Sequence, residues 1–191
     1  GISSQEKMDH AKNLCKSLGV NFFYQPINGF LREFHNLAWK ENQSAHQNTK
    51  ARIRAVLLYN FANANDALVL GTSNKSEILL GYGTKYGDFA ADIEVLGDLY
   101  KEEVVALADH VGLPREIIEK IPSAELYSGQ TDEDELGASY SKIDPILKRL
   151  KLGKDGLIGR GVDPMLLHTI LRRIEKNIHK SKMPPVIKVK I

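Results

Sequence analysis

The chain has 191 residues, with 26 Lys and Arg against 24 Asp and Glu, a formal net charge of +2. That length suits one domain, 1–191, with a real core, and 42% hydrophobic with 26% charged residues excludes wholesale disorder. Near-neutral charge excludes the strong basic field of a general nucleic-acid binder; the single Cys15 excludes an internal disulfide framework and a Cys-based zinc site; no apolar run approaches the ~20 residues of a membrane span.

The first four residues, Gly1-Ile2-Ser3-Ser4, have neither the basic start nor the apolar stretch of a signal peptide. They also lack an initiating Met, so the natural chain is expected to begin upstream. Met8, Ala11, Leu14, Cys15 and Leu18 recur at three-and-four spacing and predict a helix stopped by Gly19. That places Cys15 on a core face. Val20 to Tyr24 is a β-prone run closed by Pro26. Phe30, Phe34, Leu37 and Ala38 suggest a second helix, and the polar stretch Lys40 to Asn48 reads as a loop.

Ala51, Ala55, Leu58 and Ala62 form the stripe of a stronger helix, widened by Val56, Leu57 and Phe61 and broken by Asn63 to Asp66. An apolar face this wide predicts burial on two sides. Ala67 to Leu70 is a continuous apolar run of the kind found in buried parallel strands. It ends in Gly71-Thr72-Ser73-Asn74, and Glu77 to Leu80 is again helical. Helix, strand, turn and helix in this order predict an α/β fold with a parallel sheet.

Tyr82 to Asp92 is a glycine-rich irregular segment. Leu99 to Val111 forms a helix ended by Gly112, and Pro114 opens a short helix to Ile121. A loop follows to Gln130. Asp144-Pro145 and Asp163-Pro164 each offer a capping carboxylate before a proline, two helix starts. The tail around Pro184-Pro185 reads as extended.

Four constellations could carry chemistry. In Gly71 to Glu77, Gly71 lets a ligand approach the backbone, Thr72 and Ser73 offer hydroxyls at a helix N-terminus, and Glu77 could reach a magnesium ion held between phosphates. The competing reading is plain helix capping by Thr72 or Ser73, with Glu77 complementing the dipole. Gly83 to Asp88, with Asp92 beyond it, could be a ligand loop or a surface turn. Arg52 and Arg54 could pair with carboxylate or phosphate, or line a solvated face. Thr131 to Glu135 reads better as a capped helix start than as a metal site. No histidines pair at metal-ligand helical spacing, and no Gly-x-Ser-x-Gly elbow occurs.

Taken together, the segments resemble the ammonia-dependent NAD synthetases, the archaeal type in particular. The resemblance rests on Asn48-x-Lys50-Ala51-Arg52-x-Arg54, on Leu68 to Glu77, and on Thr84 to Asp88 with Ala91-Asp92. It continues through Leu99-Tyr100-Lys101, Pro122 to Leu126, Gln130 to Gly137, and His179-Lys180 ahead of Pro184-Pro185, so that colinear matches span residues 48–185. It implies a doubly wound, Rossmann-like sheet of the adenine nucleotide alpha hydrolase type, and a cytoplasmic homodimer. It also implies an amide ligase that uses ATP to adenylate the nicotinate carboxylate of deamido-NAD before ammonia displaces AMP.

By the same resemblance Thr72, Lys101 and Ser123 contact ATP, and Glu77 holds magnesium. Arg52, Lys85, Asp92, His179 and Lys180 contact deamido-NAD, and Asp88 lies near the reacting carboxylate, where it would bind or deprotonate ammonium. Asp88 and Lys101 are the catalytic candidates. The family's Ser-Gly-Gly-x-Asp-Ser loop is absent from these residues. A preceding strand, phosphate loop and helix are therefore expected upstream of Gly1, with a gap facing Thr72 and Lys101. The alternative is a non-catalytic remnant that binds a dinucleotide or dimerises. A different ATP-using adenylating enzyme fits less well with Lys85, Asp92 and His179-Lys180.

Overall fold

The computed structural model describes residues 5–189 apart from Glu125 and Ser128. The expected first helix is α1 (Gln5–Ser17), and Cys15 is half-buried on it. The second, α2 (Asn28–Glu33), tightens into a 3-10 turn over Phe34–Asn36 and ends before Ala38. The β-prone run Val20 to Tyr24 forms no strand: its backbone has no ladder partner, and Val20, Phe22, Phe23 and Tyr24 are exposed. Strand propensity yields a strand only when a neighbour accepts the hydrogen bonds.

The long helix α3 (Gln43–Ala64) begins inside the polar stretch expected to be a loop running into a helix. Its start is set by Asn42, whose side chain accepts the Ala45 N–H at 2.8 Å. Ala51, Ile53, Ala55 and Ala62 face inward. The apolar run beyond it pairs only at Leu70–Gly71 (β1), parallel to Ile93–Glu94 (β2), with Leu70 opposite Ile93 and Gly71 opposite Glu94. Val69 is buried at 7% exposure whereas Leu68 is 65% and Leu70 58% exposed, so one face of this strand is bare. Parallel pairing with flanking helices is the expected α/β arrangement.

The core lies in the later part of the chain. Leu80 ends α4 (Lys75–Leu80). It packs with residues of α7 (Asp132–Leu136), α8 (Tyr140–Leu147), α9 (Gly153–Ile158) and α10 (Pro164–Asn177), among them Ile143, Leu157, Leu167 and Ile170. Asp163 caps α10 as expected, accepting the Met165 N–H at 3.1 Å with Pro164 at the first turn. Asp144 does not cap its own helix. It sits inside α8, fully buried, and is used elsewhere. Between the strands and this core run α5 (Lys101–His110) and the short α6 (Arg115–Ile118). Among the described residues no helix is long and apolar enough to cross a membrane.

Candidate active site

A cavity of about 880 Å³ opens at the carboxyl end of β1. Ligands favour this end of an open α/β sheet because loops diverge there and helix N-termini point at it. Val69 to Ser73 form its floor, α3 one wall, and α10 with the loop after α4 another. Of the residues given roles by the resemblance, Thr72, Glu77, Asp88, Lys101, Ser123 and Lys180 line it, as do Arg54, Gly71 and Ser73 from the constellations. The expected opening beside Thr72 and Lys101 is therefore present.

The turn after β1 is held from both sides. Asn74 caps α4 in a reciprocal box: its side chain accepts the Glu77 N–H at 3.0 Å, and Glu77 Oε2 accepts the Asn74 N–H at 3.0 Å. The cap is thus Asn74, not Thr72 or Ser73, and Thr72 stands exposed at the cavity. Glu77 is both a capping residue and a site residue. Its other oxygen, Oε1, lies 3.3 Å from Lys101 Nζ. Burial pushes the Glu77 carboxyl above its usual range, and Lys101 opposes the shift. Opposite the turn, Glu94 Oε2 accepts the Ser73 N–H at 3.2 Å.

Asp88 closes its own loop. Its Oδ1 accepts the Thr84 N–H at 2.9 Å, while Thr84 Oγ1 donates to Asn48 of α3 at 2.8 Å. The loop carries Tyr86 at φ 61°, a left-handed position unusual for an aromatic residue. Lys180 Nζ donates to the carbonyls of Gly81 at 2.9 Å and Gly83 at 3.0 Å, and burial lowers its pKa.

Arg52, Lys85, Asp92 and His179 do not line the cavity. Arg52 Nε donates to the Lys85 carbonyl at 3.3 Å, and Lys85 Nζ to the His179 carbonyl at 2.8 Å. These three form a chain from α3 across the 84–88 loop to the 3-10 turn Ile178–Ser181. Asp92 lies apart from that chain, accepting the Val69 N–H at 2.7 Å, with Tyr59 Oη at 3.5 Å. The structure thus separates the expected site residues into a cavity group and an outer group.

The acidic run at Thr131 has two functions. Thr131 caps α7 as expected, its Oγ1 accepting the Asp134 N–H at 3.2 Å. The same helix, however, turns Asp132 and Glu135 into the cavity. Asp132 accepts the hydroxyls of Tyr82 and Tyr140, each at 3.1 Å. Glu135 accepts from Tyr82 at 2.8 Å, from Tyr127 at 3.1 Å and from Gln130 at 3.0 Å. Burial and these carboxylates hold both the Tyr82 and Tyr140 hydroxyls in the protonated form, well above the usual phenol range. A satisfactory local explanation in capping hid this role. The basic positions His168, Arg172 and Lys176 of α10 also face the cavity, and their spacing of four was the available signal.

One carboxylate oxygen, Glu77 Oε1, remains open to a cation apart from its long contact with Lys101. Among the described residues no cluster of three His, Cys, Asp or Glu could hold a metal alone. A single carboxylate suits magnesium brought in by phosphate oxygens, since that ion is commonly held by one or two carboxylates plus substrate. Glu125, part of the sequence resemblance, lies outside the described residues.

The NAD synthase family model matches residues 1–184. The NH(3)-dependent NAD(+) synthetase of Archaeoglobus fulgidus is 43% identical over 190 residues, covering 100% of this chain and 74% of that protein. Its counterpart in Campylobacter jejuni is 40% identical over 188 residues, covering 98% and 76%. Among solved structures, the NMN synthetase of Francisella tularensis superposes with a TM-score of 0.86 at 31% identity, over 97% of this chain and 74% of that one. The NH3-dependent NAD synthetase of Campylobacter jejuni gives 0.80 at 36%, over 98% and 75%. The Rossmann-like α/β class read from the sequence is the fold these proteins share. Matched along nearly its whole length by sequence and by fold, the chain belongs to the NAD synthase family.

Proposed function

We propose that the protein forms NAD from deamido-NAD, ATP and ammonia, as a cytoplasmic homodimer whose residues 1–191 act as one unit. The observation that carries this reading is the cavity at the carboxyl end of β1, where Thr72, Lys101, Ser123 and the Glu77 carboxylate converge. A nicotinate carboxylate is a poor electrophile. Its oxygen attacks the α-phosphorus of ATP and pyrophosphate leaves, giving an acyl adenylate. Ammonia then attacks the acyl carbon, AMP leaves, and one proton is released.

The first step needs neutralisation of phosphate charge rather than a protein nucleophile. Lys101 supplies a cation there, and Thr72 a hydroxyl. Glu77 Oε1 is the oxygen that would hold magnesium, which adds further charge neutralisation when bound. In the second step ammonium must lose a proton before it can attack. Asp88, with Oδ1 fixed by the Thr84 N–H at 2.9 Å, has its second oxygen available to bind ammonium or take that proton. Arg52, Lys85, Asp92, His179 and Lys180 are assigned to deamido-NAD, the first four forming an outer surface where the dinucleotide would extend.

The homodimer reading is supported by α3, whose Val56 and Phe61 lie outside the cavity at 67% and 46% exposure. The test is amide formation by the protein as the cell makes it, with ATP, ammonium and magnesium. The nicotinate dinucleotide and mononucleotide are offered in parallel, because one solved relative is an NMN synthetase. Conversion of the dinucleotide with release of AMP and pyrophosphate is the expected result. Lys101→Met should lower kcat/KM for ATP by roughly 100-fold. An amide product formed without ATP, or no product at all, would defeat the reading.

A further inference from the structure

The first donors of a helix have no partner within it. In α5 two of these belong to Lys101 and Glu102, and both are accepted by side chains from other helices. Glu102 N–H donates to Asp144 Oδ2 at 3.0 Å. Lys101 N–H donates to Ser76 Oγ at 3.0 Å, and that hydroxyl donates onward to Asp144 Oδ1 at 2.6 Å. Ser76 and Asp144 are each 0% exposed. One carboxylate on α8 therefore anchors the start of α5, directly and through α4.

Asp144 and Tyr140 stand four residues apart on α8, on one helical face. Lys101 Nζ lies 5.5 Å from the centroid of the Tyr140 ring and 3.3 Å from Glu77. The same helix thus fixes the Lys101 backbone through Asp144 and Ser76 and supports its ammonium over Tyr140. A buried carboxylate is costly to keep, and hydrogen bonds to a charged acceptor are strong. Here the bonds reach the backbone of Lys101, whose side chain enters the cavity, through Ser76, and that of Glu102 beside it directly.

We infer that Asp144, acting through Ser76, is the positioning residue that aims Lys101 at the nucleotide phosphates. This rests on the proposed role of Lys101 toward ATP. Two variants separate it from simple fold support. Ser76→Ala removes the relay, and Asp144→Asn removes the charge while keeping the shape. Each should raise KM for ATP about tenfold, the scale of losing one hydrogen bond to a charged group. KM for the deamido substrate should stay within about twofold.

The deciding measurement is a double-mutant cycle with Lys101→Met. If the pair acts by aiming Lys101, neither change should raise KM further once the ammonium is gone. Effects that multiply in the Lys101→Met background would overturn the inference, as would equal losses for both substrates. Variants that all fail to fold would mark the pair as a fold anchor and also overturn it. A readout independent of activity is a crystal structure of Ser76→Ala. Displacement of Lys101 from Glu77 is expected; an unmoved ammonium sinks the positioning role even if the proposed reaction stands. Absent amide formation by the unaltered protein would instead defeat the proposed reaction, and this structural arm would still be decided.

Discussion

Two regions of this chain use their apolar residues differently. Leu80 and the inner faces of α7 to α10 close on one another: Leu80, Ile143, Leu157 and Leu167 are at most 1% exposed. Before α3 they do not. Leu18, Val20, Phe23, Tyr24 and Trp39 are each more than half exposed, and Ile27 is the buried apolar residue of that region. The cavity has its floor on β1 and the turn after it, one wall on the packed region and the other on α3. Precise chemistry needs side chains locked by their neighbours. Lys101, Glu77 and Asp132 accordingly rest on the packed side. The contrast predicts that stability is concentrated there.

The largest expected effect tests the packed side. Leu167→Ala, at 0% exposure, should cost roughly 2–5 kcal/mol in denaturant unfolding. Val20→Ala, at 53% exposure, should stay within about 0.5 kcal/mol. Similar costs at both positions would break the comparison.

Next in size is Gly71→Ala, at the seam. A Cβ there would fall inside contact distance of all three carboxylate atoms of Glu94. Glu94 would have to swing away and release the Ser73 N–H that it holds at 3.2 Å. A loss of roughly 1–3 kcal/mol is expected from such overpacking. Glu94→Ala in the same chain should recover most of it. Failure of that rescue would mean the backbone, not the carboxylate, sets the limit.

What the sequence disclosed follows the same division. Helix α10 was legible because its periodicity and its Asp163-Pro164 start are local signals, and α5 because Leu99 to Val111 keeps one apolar face. The parallel strand was legible in position but not in extent, since an apolar run does not reveal which face a neighbour will cover. Val20 to Tyr24 misled for the same reason. Asp144-Pro145 looked like a helix start, yet the donors that this carboxylate satisfies lie 42 residues away at Glu102 and 68 away at Ser76. Tertiary capping leaves no mark at the capped helix. In the site, Thr72, Glu77, Asp88 and Lys101 were visible beside turns and helix starts. Asp132 and Glu135 were not, because Thr131 already explained their charge.

A smaller effect concerns pH and Glu77. Burial raises its carboxyl pKa in the folded chain. The folded state is therefore favoured by protonation: that advantage is complete below the ordinary value of 4.5 and is lost as pH climbs through the raised folded value. Glu77→Gln is neutral throughout and escapes the loss. Its melting temperature relative to the unaltered protein should rise across that window. Turnover should fall steeply at the same time, since the hard anionic oxygen is gone. A variant with unchanged magnesium dependence would leave Glu77 only its capping role.

The smallest effect on folding, and the sharpest test of the bare faces, is Val56→Glu. Val56 is 67% exposed on α3, whereas Ala51, Ile53 and Ala55 of the same helix are buried. On an isolated chain a glutamate there meets water, and its helix propensity exceeds that of valine by a few tenths of a kcal/mol. Melting of a monomer should therefore hardly change. If two copies meet along α3, the same substitution places two charges in an apolar interface, where a carboxylate without a partner is strongly disfavoured. Light scattering should then show the unaltered protein as a dimer at micromolar concentration and the variant as a monomer with intact helix content. Identical masses for the two would move the dimer contact, if there is one, away from this face. Activity adds a second reading: the outer group of Arg52, Lys85 and His179 begins on this same helix, so loss of association with unchanged KM for deamido-NAD would separate dimerisation from substrate binding.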